Sequence, residues 1–493
     1  METLSCRSLG RSRSGRGWIA SVLLLLLAAG NASAGAGTEG ATEAGAASPQ
    51  TGGGGQPEGA PPASADLDRL REEGAKMLKD LEAMKGDLTA LLKVFEFHGY
   101  MRAGTGVNSE GGQQQAFQAP GAFAKYRLGN EAEFYGEFGL QANWVNPDHD
   151  GTWFTTFFMW HYVTGRNSGA DTPADTRVRQ GYFQAGHIVP GQDQMEFWAG
   201  QRYYRRKDIH INDFYFLDTS SFGGGFEKLN LGFGQLHVAY LTGSTETPSF
   251  DLGKLTKNAF DIRLTVPIGS HELELWVFPT VGSKQDDVPS TTENEHFRNT
   301  GIAGGVFFNS KVMGGFNEVG LQFGYAGAAN FSPGVDSGLD AEGWMFRFVD
   351  RGVFQLTPSL SMMVAGVFQL DNRNGDTDDR SRGNLWGSLG ARPVYNFSKY
   401  LGLAVEGGVD IVKADTEDAE TGVLGKFTVA PVIRVGQGFW ARPELRVFAT
   451  FAFWNDGINC EEHPEACVGG GTNNPYGDEN FGATFGIQGE SWW

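Results

Sequence analysis

Polar and apolar residues alternate along many short segments of this chain, and this alternation most limits what it can fold into. Glu96, Tyr100 and Arg102 fall on one face of the first such segment. Phe97 and Met101 fall on the other face. Successive side chains of a β-strand point to opposite faces, so the pattern predicts strands with one polar and one apolar face. A membrane β-barrel with a water-filled lumen needs such strands, although a soluble β-sandwich shows the same alternation.

The second segment, residues 127–141, shows the same pattern with more charge. We predict that its polar side chains face a lumen and that its apolar side chains face lipid. The polar set is Arg127, Glu131, Glu133, Tyr135, Glu137 and Gln141, and the apolar set is Leu128, Ala132, Phe134, Phe138 and Leu140.

Similar segments follow along the chain, separated by polar, Gly-rich or Asp/Asn-rich breaks. Roughly 400 residues, at about ten per tilted strand plus loops, accommodate 16 to 18 antiparallel strands in an all-β transmembrane barrel over residues 96–493. The segments lie at 258–266, 272–278, 302–309, 318–325, 343–349, 359–370, 384–395, 401–411, 424–435 and 440–454.

Composition narrows the class of protein. The 493 residues carry 58 acidic and 39 basic side chains, a net charge of −19, which argues against nucleic-acid binding. With 72 glycines, 13% aromatic residues and a mean hydropathy of −0.30, the chain has the profile of an outer-membrane barrel. Composition alone leaves a soluble all-β enzyme as the alternative.

The last segment ends in an aromatic residue, which is a feature of bacterial outer-membrane barrels. Phe481, Phe485 and Trp493 fall on one face, which we predict to meet lipid. Glu490 and Trp492 fall on the other face, which we predict to meet the lumen. The C-terminus therefore favours a location in the bacterial outer membrane.

The N-terminal region predicts export followed by a helix. Residues 1–34 have a basic start, a twelve-residue apolar core and a small-residue cleavage site, as in a signal peptide. Residues 35–65 form a Gly/Ala/Pro/Ser-rich linker. Residues 66–95 predict a short coiled coil and hence an oligomer, and a single amphipathic helix on the barrel is the alternative. The two heptad positions hold Leu67, Gly74, Leu81, Leu88 and Phe95, and Leu70, Met77, Met84 and Leu91.

Two cysteines, Cys460 and Cys467, remain after removal of the signal peptide, which carries Cys6. In an oxidising compartment they predict a local disulfide that holds one surface loop, with two free thiols as the alternative.

Residues 201–218 form a segment rich in charges of both signs and in aromatic rings. Burying so many ions without partners costs several kcal/mol each, so neither a dry core nor a lipid face suits this segment. We predict a loop that folds into a water-filled pore and forms its constriction.

Five motifs resemble maltoporin in order and spacing, as does the terminal Trp492-Trp493. The resemblance covers Glu96 to Trp493 and implies an 18-stranded, homotrimeric outer-membrane porin that passes maltose and maltodextrins, with the third loop folded inward. The N-terminal extension resembles that of the related sucrose porin. The motifs are FHGYMR at 97–102, KYRLGNE at 125–131, DIHINDFY at 208–215, FDIRL at 260–264 and RPELRVFAT at 442–450.

The resemblance also implies functional residues. The family's aromatic slide, on which sugar rings stack, maps onto Tyr100, Tyr135, Phe260, Trp386 and Trp492. Its polar tracks and constriction map onto Arg102, Arg127, Glu137, Arg179, Arg206, Asp208, Asp213, Tyr215 and Asp218. For Phe260 a place in the aromatic girdle at the membrane interface is an equal alternative, and wall charges that balance one another are the alternative for the ionic residues.

The sequence departs from the family pattern at several positions. Asp171 stands where the family has a tryptophan that reaches into a neighbouring subunit, and Ala116 and Ala132 replace its early cysteine pair. Trp386 is single where the family has two adjacent tryptophans. Because residues 206, 215 and 218 keep the bulky maltoporin-like side chains, the sequence favours maltodextrins over sucrose.

Two rival functions remain open at this stage. A general diffusion porin predicts the same barrel without a sugar site. A barrel enzyme needs a nucleophile and a base, yet the nine histidines show no G-x-S-x-G, H-E-x-x-H or metal-ligand spacing, so we predict no enzyme and no cofactor. His98 and His210 are interpreted as structural hydrogen-bonding residues. The helix could also span the periplasm or dock on peptidoglycan.

Overall fold

A computed structural model describes residues 63–164, 174–244, 256–282, 300–336, 343–372, 385–414, 419–459, 467–468 and 475–493. It contains one α-helix, α1 (Ala63–Val94), and twenty strands in these ranges. The strands are β1 (Phe95–Asn108), β2 (Phe134–Val145), β3 (Trp153–Thr164), β4 (Ala174–Gly186), β5 (Glu196–Tyr203), β6 (Lys207–Ile209), β7 (Phe214–Leu217), β8 (Ser220–Asn230), β9 (Gln235–Ser244), β10 (Thr256–Ile268), β11 (His271–Gly282), β12 (Gly301–Val312), β13 (Gly315–Ala326), β14 (Trp344–Thr357), β15 (Leu360–Asn372), β16 (Leu385–Asn396), β17 (Leu401–Lys413), β18 (Gly422–Arg434), β19 (Glu444–Trp454) and β20 (Phe481–Trp492).

The chain divides into two compact units between Thr89 and Ala90, so helix α1 lies in one unit up to Thr89 and its last residues belong to the unit that contains the barrel. Helix α1 covers residues 66–94 of the segment predicted to be a coiled coil, whose last residue, Phe95, begins β1 instead. Met77, Leu81 and Met84 of the heptad positions are largely exposed in the single chain. The coiled coil itself stays a prediction. The predicted signal peptide and all but the last residues of the predicted linker lie outside the described residues. Among those described, no helix is long and apolar enough to cross a membrane.

Eighteen of the strands form one antiparallel sheet that closes on itself, which confirms the predicted barrel. Closure occurs at β1, which pairs with both β2 and β20. Tyr100 therefore lies opposite Glu137 on one side and Trp492 on the other. Beyond the end of β20, Gly99 and Trp493 exchange two backbone hydrogen bonds of 3.0 and 3.1 Å. A closed sheet leaves no edge with unpaired N–H and C=O groups, as a membrane requires.

The pleat of each strand separates an outer apolar face from an inner polar face. The Trp493 side chain is about half exposed on the outer face and contacts the Phe138 ring at a centroid distance of 6.2 Å. Glu490, on the opposite face of the same strand, points inward and is 3% exposed. The predicted lipid-facing and lumen-facing sides of the last strand are therefore those observed.

Residues 109–133 form no strand of the wall, although residues 127–133 were predicted to belong to one. This segment, which we call the first inward loop, lies inside the barrel, and β2 begins only at Phe134. Leu128 is 1% exposed in the barrel interior instead of facing lipid. Its N–H donates to Glu406 Oε1 (3.0 Å) and its carbonyl accepts from Lys426 Nζ (2.8 Å). Side chains of the wall thus form the hydrogen bonds that the Leu128 backbone would make with a neighbouring strand if it were part of the sheet.

A close fit holds the first inward loop against β16 and β17. The Tyr126 ring lies over Gly390 and Gly408, where an added Cβ atom would come within 2.2 Å of ring atoms. The Tyr126 hydroxyl is 3.0 Å from Ser388 Oγ. Glycine at these two wall positions therefore makes room for the ring.

The second inward segment is the predicted constriction. Strands β6 and β7 form a two-stranded hairpin, which we call the constriction hairpin (residues 204–219), inside the barrel between β5 and β8. Lys207 Nζ lies 2.8 Å from Glu318, and Arg205 Nη2 lies 2.7 Å from Glu274. Several charges of the segment therefore pair with the wall, which lowers the cost of burying them.

Candidate solute pathway in the barrel lumen

The two inward segments contact each other inside the barrel. The Arg127 N–H donates to the Ile211 carbonyl (3.0 Å), and Arg127 Nη1 lies 3.9 Å from Asp213 Oδ1. Asp213 has a left-handed backbone with φ of 55° and a side chain that is 39% exposed. The pathway is thus bounded by the constriction hairpin and by the first inward loop, of which residues 127–133 had been predicted to lie in the wall.

Tyr100 and Tyr135 form a ring pair on adjacent strands, with centroids 6.0 Å apart. The Arg102 guanidinium lies over the Tyr135 ring at 4.9 Å, within cation–π range. The Tyr100 hydroxyl accepts from Arg127 Nη2 (2.5 Å) and donates to Glu490 Oε1 (2.9 Å). Tyr100 is almost fully buried, whereas Tyr135 is half-buried, so Tyr135 presents more of its ring to the lumen.

Glu137 joins this pair to the constriction. Its Oε1 atom accepts from the Tyr135 hydroxyl (2.7 Å) and from the Tyr203 hydroxyl (2.9 Å). The Arg206 guanidinium lies 3.5 Å from the Tyr203 ring centroid and 4.4 Å from that of Tyr215. Sequence reasoning missed Tyr203, although its place beside the arginines of the constriction segment was a usable signal.

Three further predicted polar residues form hydrogen bonds with other residues of the protein. Arg179 Nε donates to His161 Nδ1 (3.0 Å). The Asp208 carbonyl accepts from Arg351, and Asp218 Oδ1 accepts from the Ser220 N–H (2.9 Å). The side chain of Asp218 therefore fixes the turn into β8.

The chain end forms an aromatic cluster that includes residues not predicted from the sequence. The Trp492 ring lies 6.2 Å from Trp440 and 5.8 Å from His210, measured between ring centroids. The Arg442 guanidinium lies over Trp492 at 4.3 Å. The FW pair (439–440) ahead of the RPELRVFAT motif was the available signal for Trp440.

His210 sits at the tip of the constriction hairpin, in contact with this cluster. Its ring meets Phe439 at 6.0 Å and Trp440 at 5.1 Å. Burial lowers the pKa of the imidazole well below its usual range, and the nearby positive charge of Arg127 lowers it further. His210 is therefore neutral near pH 7 and packs as an uncharged ring.

Glu490 connects the C-terminal strand to three arginines. Its carboxylate lies 3.3 Å from Arg127, 2.8 Å from Arg442 and 3.0 Å from Arg446. Charge-assisted hydrogen bonds of this kind are stronger than neutral ones. The lumen ions near Trp492 therefore form one connected group instead of isolated charges.

Trp386 faces the lumen as predicted but is covered. Its side chain is only 1% exposed, and its Nε1–H donates to Asp410 Oδ1 (3.0 Å). The Phe214 ring packs edge-on against it at 4.8 Å and the Phe123 ring lies over it at 5.7 Å. A sugar therefore cannot reach Trp386 in this conformation.

Phe260 does not lie in the lumen, and its predicted place on an aromatic slide is wrong. It is 44% exposed on the outer face of β10, where its ring contacts Tyr240 at 5.7 Å. Its neighbour Asp261 points inward and forms an ion pair with Arg263 (2.8 Å). Successive side chains of a strand point to opposite faces, so residue 260 must point outward when residue 261 points inward. The alternative of an aromatic girdle agrees with this position.

Three other predictions concern the loops. Cys467 is disulfide-bonded, and its predicted partner Cys460 lies outside the described residues. Asp171 also lies outside them. Among the side chains that the structure describes, no group of three or more His, Cys, Asp or Glu residues is arranged to hold a metal ion.

Several solved channel structures are similar to the chain in fold. The DcaP channel of Acinetobacter baumannii shares 13% identity over 80% of this chain and 97% of its own, with a TM-score of 0.44. Pseudomonas aeruginosa OccK9 (OpdG) shares 12% identity over 81% of this chain and 98% of its own, with a TM-score of 0.45. Pseudomonas aeruginosa OpdK, solved with vanillate, shares 13% identity over 81% of this chain and 99% of its own, with a TM-score of 0.41.

The comparison with protein families covers the whole barrel. The model of the LamB porin family matches residues 95–493, which begin at the first residue of β1 and end at the C-terminus. The closed antiparallel barrel with an apolar outer face agrees with that match. The chain therefore belongs to the LamB porin family and is a multi-pass channel of the bacterial outer membrane.

Proposed function

We propose that this channel carries maltose and maltodextrins across the outer membrane by facilitated diffusion. The main support is a run of rings on the inner face of three neighbouring strands, of which Trp492 and Tyr135 are half-buried and offer stacking surface, while Tyr100 is buried. Trp492 of β20 pairs in register with Tyr100 of β1, and Tyr135 of β2 pairs with Arg102 of β1. A general diffusion porin gives no reason for rings at these adjoining positions.

The chemistry of a glucose chain suits such a surface. The flat apolar face of each pyranose stacks on an aromatic ring, while the hydroxyls at its rim exchange hydrogen bonds with ions of both signs. A series of near-equivalent sites lets a sugar enter and leave, because no single site binds it too strongly.

The predicted polar residues divide into three groups within this proposal. Asp213, Tyr215 and Arg179 are exposed or half-buried, and we propose that they bind sugar hydroxyls directly. Arg127, Glu137 and Arg206 are nearly fully buried against the aromatic rings, and we propose that they hold these rings in place. Arg102 is half-buried over the Tyr135 ring and would bind hydroxyls beside it. For Asp208 and Asp218 we propose that positioning the constriction hairpin is the main role.

The assembly is also part of the proposal. We propose a homotrimer with lipid around its outer apolar faces, in which the three copies of α1 bury their exposed heptad residues against one another. A periplasmic or peptidoglycan contact through the helix is compatible with this arrangement. Size and cross-linking measurements on the detergent-solubilised protein, with Met84→Glu as the variant, would test it.

Single-channel recording in planar bilayers tests the sugar site. We expect maltotriose and maltohexaose to block the current in a saturable way, with tighter block by the longer chain. Trp492→Ala and Tyr135→Ala should each weaken block about two- to tenfold, because each removes a stacking surface.

Phe260→Ala is the matched control, because it removes an outward aromatic ring and should leave block unchanged. If no sugar changes the current, the channel has no sugar site and acts as a general diffusion porin. Tighter block by sucrose would move the assignment to that sugar.

A further inference from the structure

We infer that Trp440, in the turn between β18 and β19, is a further sugar-stacking residue at the periplasmic mouth of the channel. The inference rests on the proposed maltodextrin function and extends it by one binding residue. The expected ligand is a glucose unit of an α-linked chain, bound through the apolar face of its ring beside Trp492.

The position of this turn in the barrel is the first step. Arg434 at the end of β18 pairs in register with Glu444 at the start of β19, which pairs with Glu490 near the end of β20. At this end of the barrel the turns 269–270, 313–314 and 358–359 have two residues each, whereas residues 245–255 and 283–300 separate strands at the other end. Short turns mark the periplasmic side of an outer-membrane barrel. Trp440 therefore lies at the periplasmic mouth.

The turn folds inward, toward the constriction hairpin. Phe439 is 4% exposed, and its ring lies 6.0 Å from the His210 imidazole, measured between centroids. The Trp440 ring lies 5.1 Å from the same imidazole. Trp440 is half-buried, so it packs against the interior with part of its surface and keeps the rest accessible. A sugar that leaves the constriction therefore meets this ring on its way to the periplasm.

Trp440 continues the aromatic surface of the proposed track. Its ring lies 6.2 Å from that of Trp492, close to the 6.0 Å between the rings of Tyr100 and Tyr135. One sugar chain can thus contact Trp440 and Trp492 together.

The surroundings of Trp492 give the additional ring a purpose. The Arg442 guanidinium lies over Trp492 at 4.3 Å, and it is held there by Glu490 at 2.8 Å. The Arg442 side chain is only 3% exposed, so it supports the indole from behind. With that part of Trp492 covered, Trp440 adds stacking surface beside it.

Hydrogen bonds within the turn hold Trp440 in place. The Gly438 carbonyl accepts from the Arg434 guanidinium and from the Ala441 N–H (3.3 Å). Arg442 Nη1 donates to the Ala441 carbonyl (3.0 Å). These bonds fix the backbone on both sides of the ring. A ring held in this way loses little freedom when a sugar stacks on it, which favours binding.

Block of single channels of the full-length protein by maltohexaose and by maltose tests the inference. Trp440→Leu keeps apolar packing against His210 but removes the aromatic face, and Trp440→Phe keeps an aromatic face. We expect Trp440→Leu to weaken block by maltohexaose about two- to tenfold at unchanged open-channel conductance, and Trp440→Phe to stay within about twofold of the unmodified channel. Block by maltose should weaken less in Trp440→Leu, because two sugar units can bind at Trp492 and Tyr135 without Trp440.

Phe439→Leu is the matched control. It changes the buried ring next to Trp440, which packs on the same imidazole but has almost no exposed surface. We expect it to alter block by maltohexaose by less than about twofold.

The outcomes separate this inference from the proposed function. If maltohexaose blocks Trp440→Leu as tightly as the unmodified channel while Trp492→Ala weakens block, the role of Trp440 is overturned and the sugar site stands. If Phe439→Leu and Trp440→Leu weaken block equally, both residues act by packing the hairpin tip and the stacking role is wrong. If maltohexaose does not block the unmodified channel at all, the proposed function fails and the role of Trp440 with it.

Discussion

The first inward loop and the constriction hairpin both fill the lumen, but different interactions hold them. The loop is held largely through neutral groups: the Leu128 carbonyl accepts from Lys426, the Gly129 carbonyl accepts from Thr450, and the Tyr126 ring fits a recess. Among the described residues, its charged side chains, such as those of Arg127 and Glu131, pair with the wall only at β1 and β20. The hairpin contributes charges of its own, since Arg205 and Lys207 pair with carboxylates of the wall.

This difference shows that many lumen ions have structural partners. Glu274 and Glu318 lie on the polar inner face, yet both are nearly fully buried beneath the hairpin. An ionic residue on the inner face of a strand can therefore either hold an inward loop or bind a sugar. Exposure to the lumen, as at Asp213, separates the two roles.

The largest expected effect comes from unpairing the hairpin. Glu274 lies within 2.7 Å of Arg205, 3.4 Å of Lys207 and 3.5 Å of Arg263, so Glu274→Gln leaves three buried cations short of a partner. Removing one partner of a buried pair costs roughly 3–5 kcal/mol. We expect the hairpin to detach from the wall, with larger and noisier single-channel currents.

Asp148→Asn is the control for that change. Asp148 pairs with Lys93 at 2.9 Å, but both side chains are more than half exposed. Such pairs contribute about 0–1 kcal/mol, so the recorded current should not change. Similar currents from the Glu274→Gln channel and the unmodified channel would show that charge pairing does not hold the hairpin.

A smaller effect is expected from crowding the first inward loop. In Gly408→Ala the added Cβ atom would lie 2.2 Å from the Tyr126 ring, whereas Gly407→Ala meets nothing within 4 Å. Forcing an extra carbon into a packed site costs about 1–3 kcal/mol. Gly408→Ala should lower the unfolding temperature and increase cleavage of the loop by proteases, and Gly407→Ala should do neither. Equal behaviour of the two variants would argue against a shape-fitted loop.

The smallest effect concerns the pH dependence of the hairpin tip. His210 faces the charges of Arg127, Arg392, Arg442 and Glu490, and burial holds its pKa below its usual value. The docked hairpin therefore binds fewer protons than a detached one. Its stability is complete above about pH 6.5 and falls as the pH drops below that value, by about 1.4 kcal/mol per unit until the folded pKa is reached.

Recordings at pH 7.5 and 5.5 check this expectation. Current fluctuations should increase at the lower pH. In His210→Asn this increase should be smaller than in the unmodified channel. His271→Gln changes an exposed histidine at the start of β11 and serves as the control. If the unmodified channel and His210→Asn respond equally to pH, a titratable group other than His210 causes the response.

Much of the fold could be predicted because the alternation of side chains is a local property. Each predicted segment from 258–266 to 424–435 coincides with a strand of the barrel over its described residues, to within one residue at the ends. The inner and outer faces of Trp492 and Trp493 follow from the same period. The alternation failed at residues 127–133, where polar and apolar residues also alternate in a loop. There the wall side chains Glu406 and Lys426, far away in sequence, decide the backbone conformation.

The candidate site was predicted less completely. Motif matching assigned Phe260 to the lumen, but a strand register that is off by one residue exchanges the two faces. Trp386 lies on the lumen-facing side of its strand, as predicted, yet the rings of Phe123 and Phe214 cover it. Both rings belong to segments far from Trp386 in sequence, which contact it only in the folded barrel.

The sequence by itself determined the period of the strands, their two faces, the aromatic C-terminus and the family, because these depend on neighbouring residues or on the order of motifs. Only the tertiary structure decided which lumen residues are accessible. Burial of Glu274, Trp386 and Tyr100, and exposure of Phe123 and Asp213, depend on how two inward segments meet strands that are distant in sequence. Side-chain accessibility is a property of the packed barrel, so no local pattern encodes it.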